Sequence, residues 1–377
     1  MINTGKTAVM YGAGNIGRGF IGQIFSDSGF EVVFIDINSG VINALNYKKS
    51  YTQVIVDFDE TNYREITPVR AVDGNNRPAA AKEIANCYVM AVSVGAAVLP
   101  FVAPVIADGL ALRKHPLNIL VCENLIHAPE ILRGYVSEHL PDLSVLKQVG
   151  FVGTTIGRMV PVMPQQQKEA DPTCIAVEKF CSLPVDADVI IPPMPELKHT
   201  VHCSPFAFEE GKKLYVHNMG HALAAYFGAI KGYLYIWQAI EDDFIKNNVR
   251  QAMLTSSIAL SKKYNECIIG LTAYTDDLIS RFGNKSLGDT IARVGGDPMR
   301  KLAPGDRLTG AVDLCKEQGV DYKSILAGIS AAIRYNTLGD PSADRLQKRL
   351  KECGIKAFLT DYCGLSVDDA DKCCEFI

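Results

Sequence analysis

Apolar positions in the first half of the chain fall into short runs that alternate with segments of helical periodicity. The runs at 7–11 and 31–35 are each followed by a helical pattern, at 15–28 and 41–46 respectively. Three further runs predict strands at 53–56, 87–93 and 117–122. Nearly continuous apolar strands that alternate with helices are typical of a parallel sheet covered on both faces. This half therefore predicts an α/β domain with a doubly wound, mostly parallel sheet.

The second half carries a different periodicity. From about residue 212, apolar residues recur at i, i+3 and i+4, which indicates amphipathic helices. The predicted helices cover 211–233, 238–264, 271–282, 286–294 and 321–335. A proline-rich stretch at 183–200 separates the two patterns and is a candidate linker or interdomain strand region. We therefore expect one domain over residues 1–195 and a mainly α-helical domain over residues 196–377.

Composition places the chain among globular proteins. Its 377 residues suffice for two domains, and 48% hydrophobic with 21% charged residues exclude a disordered chain. The net charge of -4 argues against a dedicated nucleic-acid binder. No apolar stretch approaches the ~20 residues of a membrane span, and the N-terminus lacks a signal-peptide pattern. We expect a cytoplasmic protein without nucleic-acid or membrane partners.

The cysteines and histidines give little support to a metal site. Eleven cysteines are scattered without C-x-x-C spacing, and we expect reduced thiols. His199 and His202 flank Cys203 between prolines, where a polar loop explains them better than zinc binding does. We therefore expect no metal.

A glycine motif directly follows the first predicted strand. The run 12–17 has the form G-x-G-x-x-G and opens a predicted helix, and Asp36 ends the next strand about 20 residues on. Gly12 permits a tight turn, Gly14 lets the backbone approach a pyrophosphate, and Gly17 allows close helix–strand packing. The helix N-terminus supplies amides and partial positive charge to phosphates. The motif predicts a Rossmann-like dinucleotide site, to which we also assign Asn15, Ile16, Ser93 and Val94.

Asp36 indicates which dinucleotide this site takes. A carboxylate here accepts hydrogen bonds from both ribose hydroxyls and repels a 2′-phosphate. Lys48 and Lys49 lie away from the position where a clamp for that phosphate is expected. We therefore predict NAD. The motif alone also permits a flavin, but the helical second domain fits a nicotinamide dehydrogenase better.

The segment 210–221 carries candidates for proton transfer. At about 100° per residue, Lys213, Asn218 and His221 lie at about 0°, 140° and 80° around a helix. They share one side, so an ammonium, an amide and an imidazole would line one wall of a pocket. The alternative is a polar helix face in water.

The pattern Lys213-x-x-x-x-Asn218-x-x-His221 resembles the catalytic motif of the polyol-specific long-chain dehydrogenases. Further matches lie at 12–22, 122–124, 218–222 and 300–308, so the resemblance covers nearly the whole chain. It implies NAD-dependent interconversion of a polyol phosphate and a ketose phosphate, D-mannitol 1-phosphate and D-fructose 6-phosphate. Members of this length are often monomers, and we expect a monomer or weak dimer.

The resemblance also implies a role for each site residue. Lys213 would be the general acid–base, and it needs a lowered pKa to act as a base near neutral pH. Asn218 and Asn124 would donate hydrogen bonds to the developing oxyanion. His221 would orient the substrate hydroxyls or the lysine. Glu210 would gate proton exchange, although an exposed glutamate at a helix start is the commoner explanation.

The phosphate end of such a substrate requires cations. Guanidinium forks match phosphate oxygens in bidentate fashion. The candidates are Arg281, Arg300, Lys301 and Arg307. The alternative is that these cations form ion pairs with Asp289, Asp297 or Asp306.

One segment departs from the family pattern. The stretch that usually reads Val-Asp-Arg-Ile-x-Pro corresponds here to 156–161, with Gly157 in place of the aspartate. Glycine has no side chain to bind a polyol hydroxyl. Two alternatives therefore stay open beside the polyol-phosphate enzyme: a sister dehydrogenase of unphosphorylated polyols or hexuronates such as mannitol, altronate or mannonate, and a catalytically weak NAD-binding regulator.

Overall fold

The computed structural model describes residues 6–161, 163 and 165–376. The chain divides into two compact units, Met1–Glu209 and Glu210–Ile377. The border predicted from the sequence lies between residues 195 and 196. The strand Thr200–Cys203 therefore lies in the first compact unit.

Six parallel strands form the central sheet of the first unit. The strands of this unit are, in chain order, β1 (Thr7–Tyr11), β2 (Glu31–Asp36), β3 (Tyr51–Asp57), β4 (Glu60–Ile66), β5 (Val69–Asp73), β6 (Val89–Val92), β7 (Leu117–Val121), β8 (Val149–Gly153), β9 (Ile175–Glu178), β10 (Leu183–Asp186) and β11 (Thr200–Cys203). The central sheet has the order β5-β2-β1-β6-β7-β8, with every neighbouring pair parallel. The strand order reverses between β1 and β6, and ligands of such sheets bind beyond the carboxyl ends of the strands at this point.

Both faces of the central sheet are buried. Ala8 and Met10 of β1 lie in one apolar cluster, whereas Val9 and Tyr11 lie in another. Successive side chains of a strand point to opposite faces, so the two clusters are the cores on the two sides of the sheet. The helical segments of this unit are Gly17–Ile21, Gly22–Asp27, Ser39–Lys48, Arg77–Asn86, Ala96–Val98, Leu99–Leu112, Ala128–Ser137, Leu143–Gln148 and Gln165–Ala170. The predicted doubly wound α/β domain is confirmed.

Two smaller sheets are only partly visible in the sequence pattern. β3 pairs antiparallel with β4 and parallel with β9, in the order β4-β3-β9. Most residues of β4 are exposed and polar, so this strand lacks the apolar signal that marks β1 and β2. β10 and β11 pair in parallel, and they begin at opposite ends of the proline-rich stretch 183–200.

The second unit is mainly helical, as predicted. Its segments, beginning with the helix that enters it, are Phe206–Lys212, Lys213–Asn218, Met219–Ile230, Ile236–Glu241, Asp243–Tyr264, Ile268–Phe282, Lys285–Leu287, Ile291–Gly295, Pro298–Lys301, Thr309–Glu317, Lys323–Ile333, Pro341–Cys353, Ile355–Ala357, Phe358–Tyr362 and Val367–Cys374. No helix in the described ranges is long and apolar enough to cross a membrane.

Two helices predicted as continuous are interrupted. Asp242 caps the helix Asp243–Tyr264, because its Oδ1 accepts the N–H groups of Phe244 and Ile245 at 3.0 and 3.1 Å. The single helix 238–264 is therefore wrong. The predicted helix 286–294 is also wrong, because Gly288 adopts φ +59° between the turn Lys285–Leu287 and the helix Ile291–Gly295.

Candidate active site

The glycine motif forms a tight loop after β1. A Cβ on Gly12, where φ is +100°, would lie 2.1 Å from the carbonyl oxygen of Ser93, and one on Gly17 would lie 2.0 Å from that of Gly12. Neither position can hold a larger residue without moving the main chain. A Cβ on Gly14 would meet nothing within 4 Å. The loop is thus packed at its two ends and open at its centre, where a pyrophosphate must approach.

Asp36 closes this loop from the end of β2. Its Oδ2 accepts the N–H of Ala13 at 2.6 Å, and its Oδ1 accepts the N–H groups of Ile37 and Asn38 at 2.8 and 2.9 Å. Each carboxylate oxygen has two lone pairs, so Oδ2 retains capacity for a further donor such as a ribose hydroxyl.

Ser93 and Val94 directly follow β6, next to β1 in the sheet. The sequence did not mark Glu123 as a site residue, but its Oε1 accepts the N–H groups of Val94 and Gly95 at 2.7 and 3.0 Å. Burial raises the pKa of this carboxyl, while the two amides oppose the shift. Glu123 thus fixes the turn beside Gly12.

The remaining predicted residues of the first unit lie around the same sheet edge. Asn15 is exposed, and Ile16 packs against the core beneath the loop. Arg18 is a further residue that the spacing did not single out: its Nε donates to the carbonyl of Ala13 at 2.6 Å. Asn124 is exposed and lies beyond the end of β7.

A π-helical turn carries the candidates of the second unit. It spans Lys213–Asn218, and the N–H of Met219 donates to the carbonyl of Leu214, five residues back. The α-helical angles assumed for this segment are therefore wrong. One residue more per turn brings Lys213 and Asn218, five positions apart, into register along the helix. Both are half-buried, and His221 follows in the first turn of Met219–Ile230.

Two imidazoles lie close together in the interior of this unit. His217 is 2% exposed, and its ring centroid lies 6.4 Å from that of His221. The ring of His221 stacks on Phe282, with centroids 4.6 Å apart and planes inclined by 9°. His217 meets the same phenyl ring edge-on at 5.7 Å. The sequence pattern marked neither His217 nor Phe282.

Positive charges surround these rings. Burial, followed by Lys213 and Arg281, lowers the pKa of His217 well below its usual value. Burial, followed by Arg293, Lys213, Lys301 and Arg307, lowers the pKa of His221 in the same way. The two imidazoles are therefore neutral at pH 7, in a setting that favours an anion.

The four predicted phosphate ligands differ in their surroundings. Arg281 and Arg307 are buried, with Asp277 3.4 Å from one and Asp306 2.8 Å from the other. Their side chains lie within electrostatic reach of His217.

Arg300 and Lys301 are engaged by the protein itself. Arg300 is about half-exposed and pairs with Asp297 at 2.8 Å and Asp306 at 3.5 Å. Lys301 is buried, and its Nζ donates to the carbonyls of Val294, at 2.6 Å, and Gly296. Burial, followed by the charges of Arg307 and Arg300, lowers the pKa of Lys301 to about 7.

The segment that departs from the family pattern lies in the first unit. A Cβ on Gly157 would lie 3.3 Å from the ring of Phe180, so a larger residue would require this ring to shift. Arg158 is buried and donates to the carbonyls of Glu178 and Gly19 and to Gln23. Arg158 therefore ties the first helix to β9.

The metal and thiol predictions concern the histidine and cysteine side chains. His199 Nε2 lies 3.0 Å from Asp27 Oδ2. Within the described ranges, no group of three or more His, Cys, Asp or Glu side chains is arranged to hold a metal ion. No disulfide joins any two of the eleven cysteines. Metal independence stays a prediction.

Comparison with known proteins relates both units to one family. A family model described as the mannitol dehydrogenase Rossmann domain matches residues 6–199, and one described as the mannitol dehydrogenase C-terminal domain matches residues 205–357. The mannitol-1-phosphate 5-dehydrogenase of Thermoanaerobacter pseudethanolicus (strain ATCC 33223 / 39E) is 35% identical over 366 residues, which span 95% of this chain and 93% of that protein.

Solved structures share the fold. Pseudomonas fluorescens mannitol 2-dehydrogenase, in a ternary complex with NAD and D-mannitol, matches 98% of this chain and 90% of its own, with TM-score 0.74 and 15% identity. A substrate-free D-sorbitol dehydrogenase matches 88% of this chain and 80% of its own, with TM-score 0.71 and 18% identity. The family resemblance and the oxidoreductase class predicted from the sequence are confirmed. The chain belongs to the mannitol dehydrogenase family.

Proposed function

We propose that this protein is an NAD-dependent polyol-phosphate dehydrogenase that interconverts D-mannitol 1-phosphate and D-fructose 6-phosphate. The observation that carries this proposal is the cluster in the second unit. There the candidate acid–base Lys213 and the buried cations Arg281 and Arg307 act on the same buried imidazole, His217. A polyol phosphate needs both kinds of group, a proton carrier at the reacting carbon and cations for its phosphate.

The first unit supplies the residues that would hold NAD. The open position at Gly14 would admit the pyrophosphate, and Asp36 Oδ2 would accept a ribose hydroxyl. Gly12, Asn15, Ile16, Gly17, Ser93 and Val94 complete the proposed cofactor set. When bound, this cofactor supplies or accepts the hydride at the carbon that is the ketose carbonyl.

Lys213 would hold and move the proton of the reaction. In the direction of carbonyl reduction its ammonium gives a proton to the alkoxide, and in the reverse direction its amine removes one from the hydroxyl. Asn218 and Asn124 would donate hydrogen bonds to the oxygen that becomes negatively charged. His221 would contact the substrate hydroxyls or the lysine, and Glu210 would exchange the proton with water. A lysine in this role needs no metal ion.

Arg281 and Arg307 are the stronger candidates for the phosphate. Burial removes them from competing water, which strengthens an ionic hydrogen bond to an anion. Arg300 and Lys301 stay in the proposal as weaker candidates, because Arg300 is half-exposed and the Nζ of Lys301 already donates to two main-chain carbonyls.

A substrate panel tests this function. We expect NADH oxidation with D-fructose 6-phosphate, weak turnover with D-fructose, and poor use of NADPH. Preference for an unphosphorylated ketose or a hexuronate would identify a sister dehydrogenase instead. Tight NADH binding without turnover of any ketose would favour a regulator. Equal or better use of NADPH would contradict the role of Asp36.

A further inference from the structure

Two buried polar atoms of the second unit face each other. His221 Nε2 lies 3.3 Å from Asp289 Oδ2. The contact falls short of good hydrogen-bond geometry, neither atom has a hydrogen-bond partner among the described residues, and both are shielded from solvent. A buried donor or acceptor that is left unpaired costs stability, and an Nε2–H directed at Oδ2 would pair both atoms.

The backbone of Asp289 is held in place. Its carbonyl accepts the N–H of Ile236 at 2.9 Å, and the neighbouring Thr290 forms an antiparallel bridge with Tyr235. Thr290 also caps the helix Ile291–Gly295 through the N–H of Arg293 at 3.2 Å. Contacts on both sides therefore fix the position from which the carboxylate reaches His221.

The imidazole has equally little freedom. Its stacking on Phe282, at the end of the helix Ile268–Phe282, fixes the plane of the ring. The other oxygen of Asp289, Oδ1, pairs with Arg293, which leaves Oδ2 directed at His221. Three separate segments of the unit thus meet at the imidazole ring of His221.

The charge of the imidazole and the neighbouring carboxylate together indicate which ring nitrogen carries the proton. Burial and the charges of Arg293, Lys213, Lys301 and Arg307 lower the pKa of His221, so the imidazole is neutral at pH 7. A neutral imidazole has one N–H. The Asp289 carboxyl pairs with the guanidinium of Arg293, which favours its ionised form, and an ionised carboxylate can only accept. The proton therefore belongs on Nε2, and Nδ1 keeps its lone pair.

We propose that Asp289 is a positioning residue that, together with Phe282, holds His221 as the Nε2–H tautomer. This inference rests on the proposed function, in which His221 contacts the substrate or Lys213. It adds a direction to that contact: Nδ1 accepts a hydrogen bond, from a substrate hydroxyl or from the ammonium of Lys213.

Nitrogen NMR of the intact protein tests the tautomer directly. Histidine labelled with ¹⁵N is compared in the wild type and in His221→Gln, which assigns the signals of this ring by their loss. We expect a protonated, pyrrole-type Nε2 and an unprotonated, pyridine-type Nδ1 at pH 7. A proton on Nδ1 overturns the proposal, whether or not the protein turns over any ketose.

Kinetics of matched variants test the positioning role. Asp289→Asn keeps the shape of the side chain but allows its amide to donate to His221, so we expect kcat to fall about 10- to 100-fold with NADH affinity unchanged. Asp276→Asn is the control, because Asp276 forms a bidentate pair with Arg250 in the same unit and should stay within about twofold of wild type.

The loss of the Arg293 ion pair needs its own control. Arg293→Gln removes that pair but keeps the Asp289 carboxylate, and we expect a loss of at most about threefold. A fall in Arg293→Gln equal to that in Asp289→Asn would overturn the proposal, as would wild-type kinetics in Asp289→Asn. Absence of turnover in the wild type would instead contradict the proposed function, and the tautomer would still be decided by NMR.

Discussion

The candidate site of the first unit and that of the second are built from different parts of the chain. In the first unit, the loop at 12–17 is shaped by its main chain, because added Cβ atoms at Gly12 and Gly17 would collide with carbonyl oxygens. In the second, side chains from separate segments converge on one ring, His221. A site formed by the main chain depends on the absence of side chains at its glycines. A site formed by side chains depends on which charged and polar atoms lie next to each other. Substitutions in the two candidate sites should therefore lower activity for different reasons.

The largest effect is expected at the proton carrier. Lys213→Met should lower kcat about 10²- to 10⁴-fold, because no other group then moves the proton, while NADH affinity stays unchanged. The measurement is NADH oxidation with D-fructose 6-phosphate. Lys212→Met is the matched control, since Lys212 contacts the ring of Tyr274 at 5.1 Å and has no assigned role. Equal losses in the two variants would contradict the assignment.

The buried cations should show their effect in substrate affinity. Arg281→Gln and Arg307→Gln should each raise KM for D-fructose 6-phosphate about 10- to 100-fold, through loss of a charge-assisted hydrogen bond to phosphate. NADH affinity is the internal control. Arg300→Ala should raise the same KM less, because Arg300 is half-exposed and pairs with Asp297. An unchanged KM in Arg300→Ala would remove Arg300 from the site.

Substitutions at two glycines of one motif should affect NADH binding and protein stability separately. Gly14→Ala adds a methyl group where the structure is open, so we expect NADH affinity to fall about tenfold at unchanged stability. Gly17→Ala forces a collision, and overpacking of this kind costs about 1–3 kcal/mol. Isothermal titration and thermal unfolding measure the two quantities. The reverse pattern would show that the open centre of the loop is not where NADH binds.

The smallest effect is a loss of stability in acid. The pKa of buried His217 is lowered in the folded chain, so below pH about 6.5 the unfolded chain binds a proton that the folded one does not. The free energy of unfolding should therefore decrease as the pH is lowered, by up to about 1.4 kcal/mol per pH unit for this residue.

Fluorescence of the single tryptophan, Trp237, reports on the unit that contains His217. The free energy of unfolding is measured by urea titration at several acidic pH values with this signal. His217→Gln should make it depend less steeply on pH. The exposed His115→Gln should keep the wild-type slope. A slope in His217→Gln that matches the wild type would mean that His217 is already protonated in the folded state.

The sequence predicts the candidate cofactor site of the first unit more completely than the candidate site of the second. Strand β1 and the glycine motif are local features, and β1 was predicted with its observed bounds because all its apolar residues are buried. Asp36 follows from the length of one strand–helix–strand unit. The role of Glu123 cannot be predicted from spacing along the chain, because it depends on contact with the turn that follows the neighbouring strand β6.

In the second unit, the candidate residues could be predicted from the sequence, but the contacts between their side chains could not. Lys213, Asn218 and His221 stand out by residue type and by resemblance. Phe282 and Asp289 lie more than 60 residues from His221 in sequence, and their contacts arise from packing between helices. The π turn also gives no signal in the apolar pattern, since its polar residues fit an α-helical face almost equally well.

The π turn Lys213–Asn218 sets the rotation, around the helix axis, of the residues that follow it. It contains one residue more than an α-helical turn would, and one residue corresponds to about 100° of rotation. Deleting a single residue within Lys213–Asn218 would restore a regular helix and turn His221 away from Lys213. The candidate site can therefore be lost through a one-codon deletion that removes none of its proposed functional side chains. By the same geometry, a one-codon insertion could create it from an ordinary amphipathic helix.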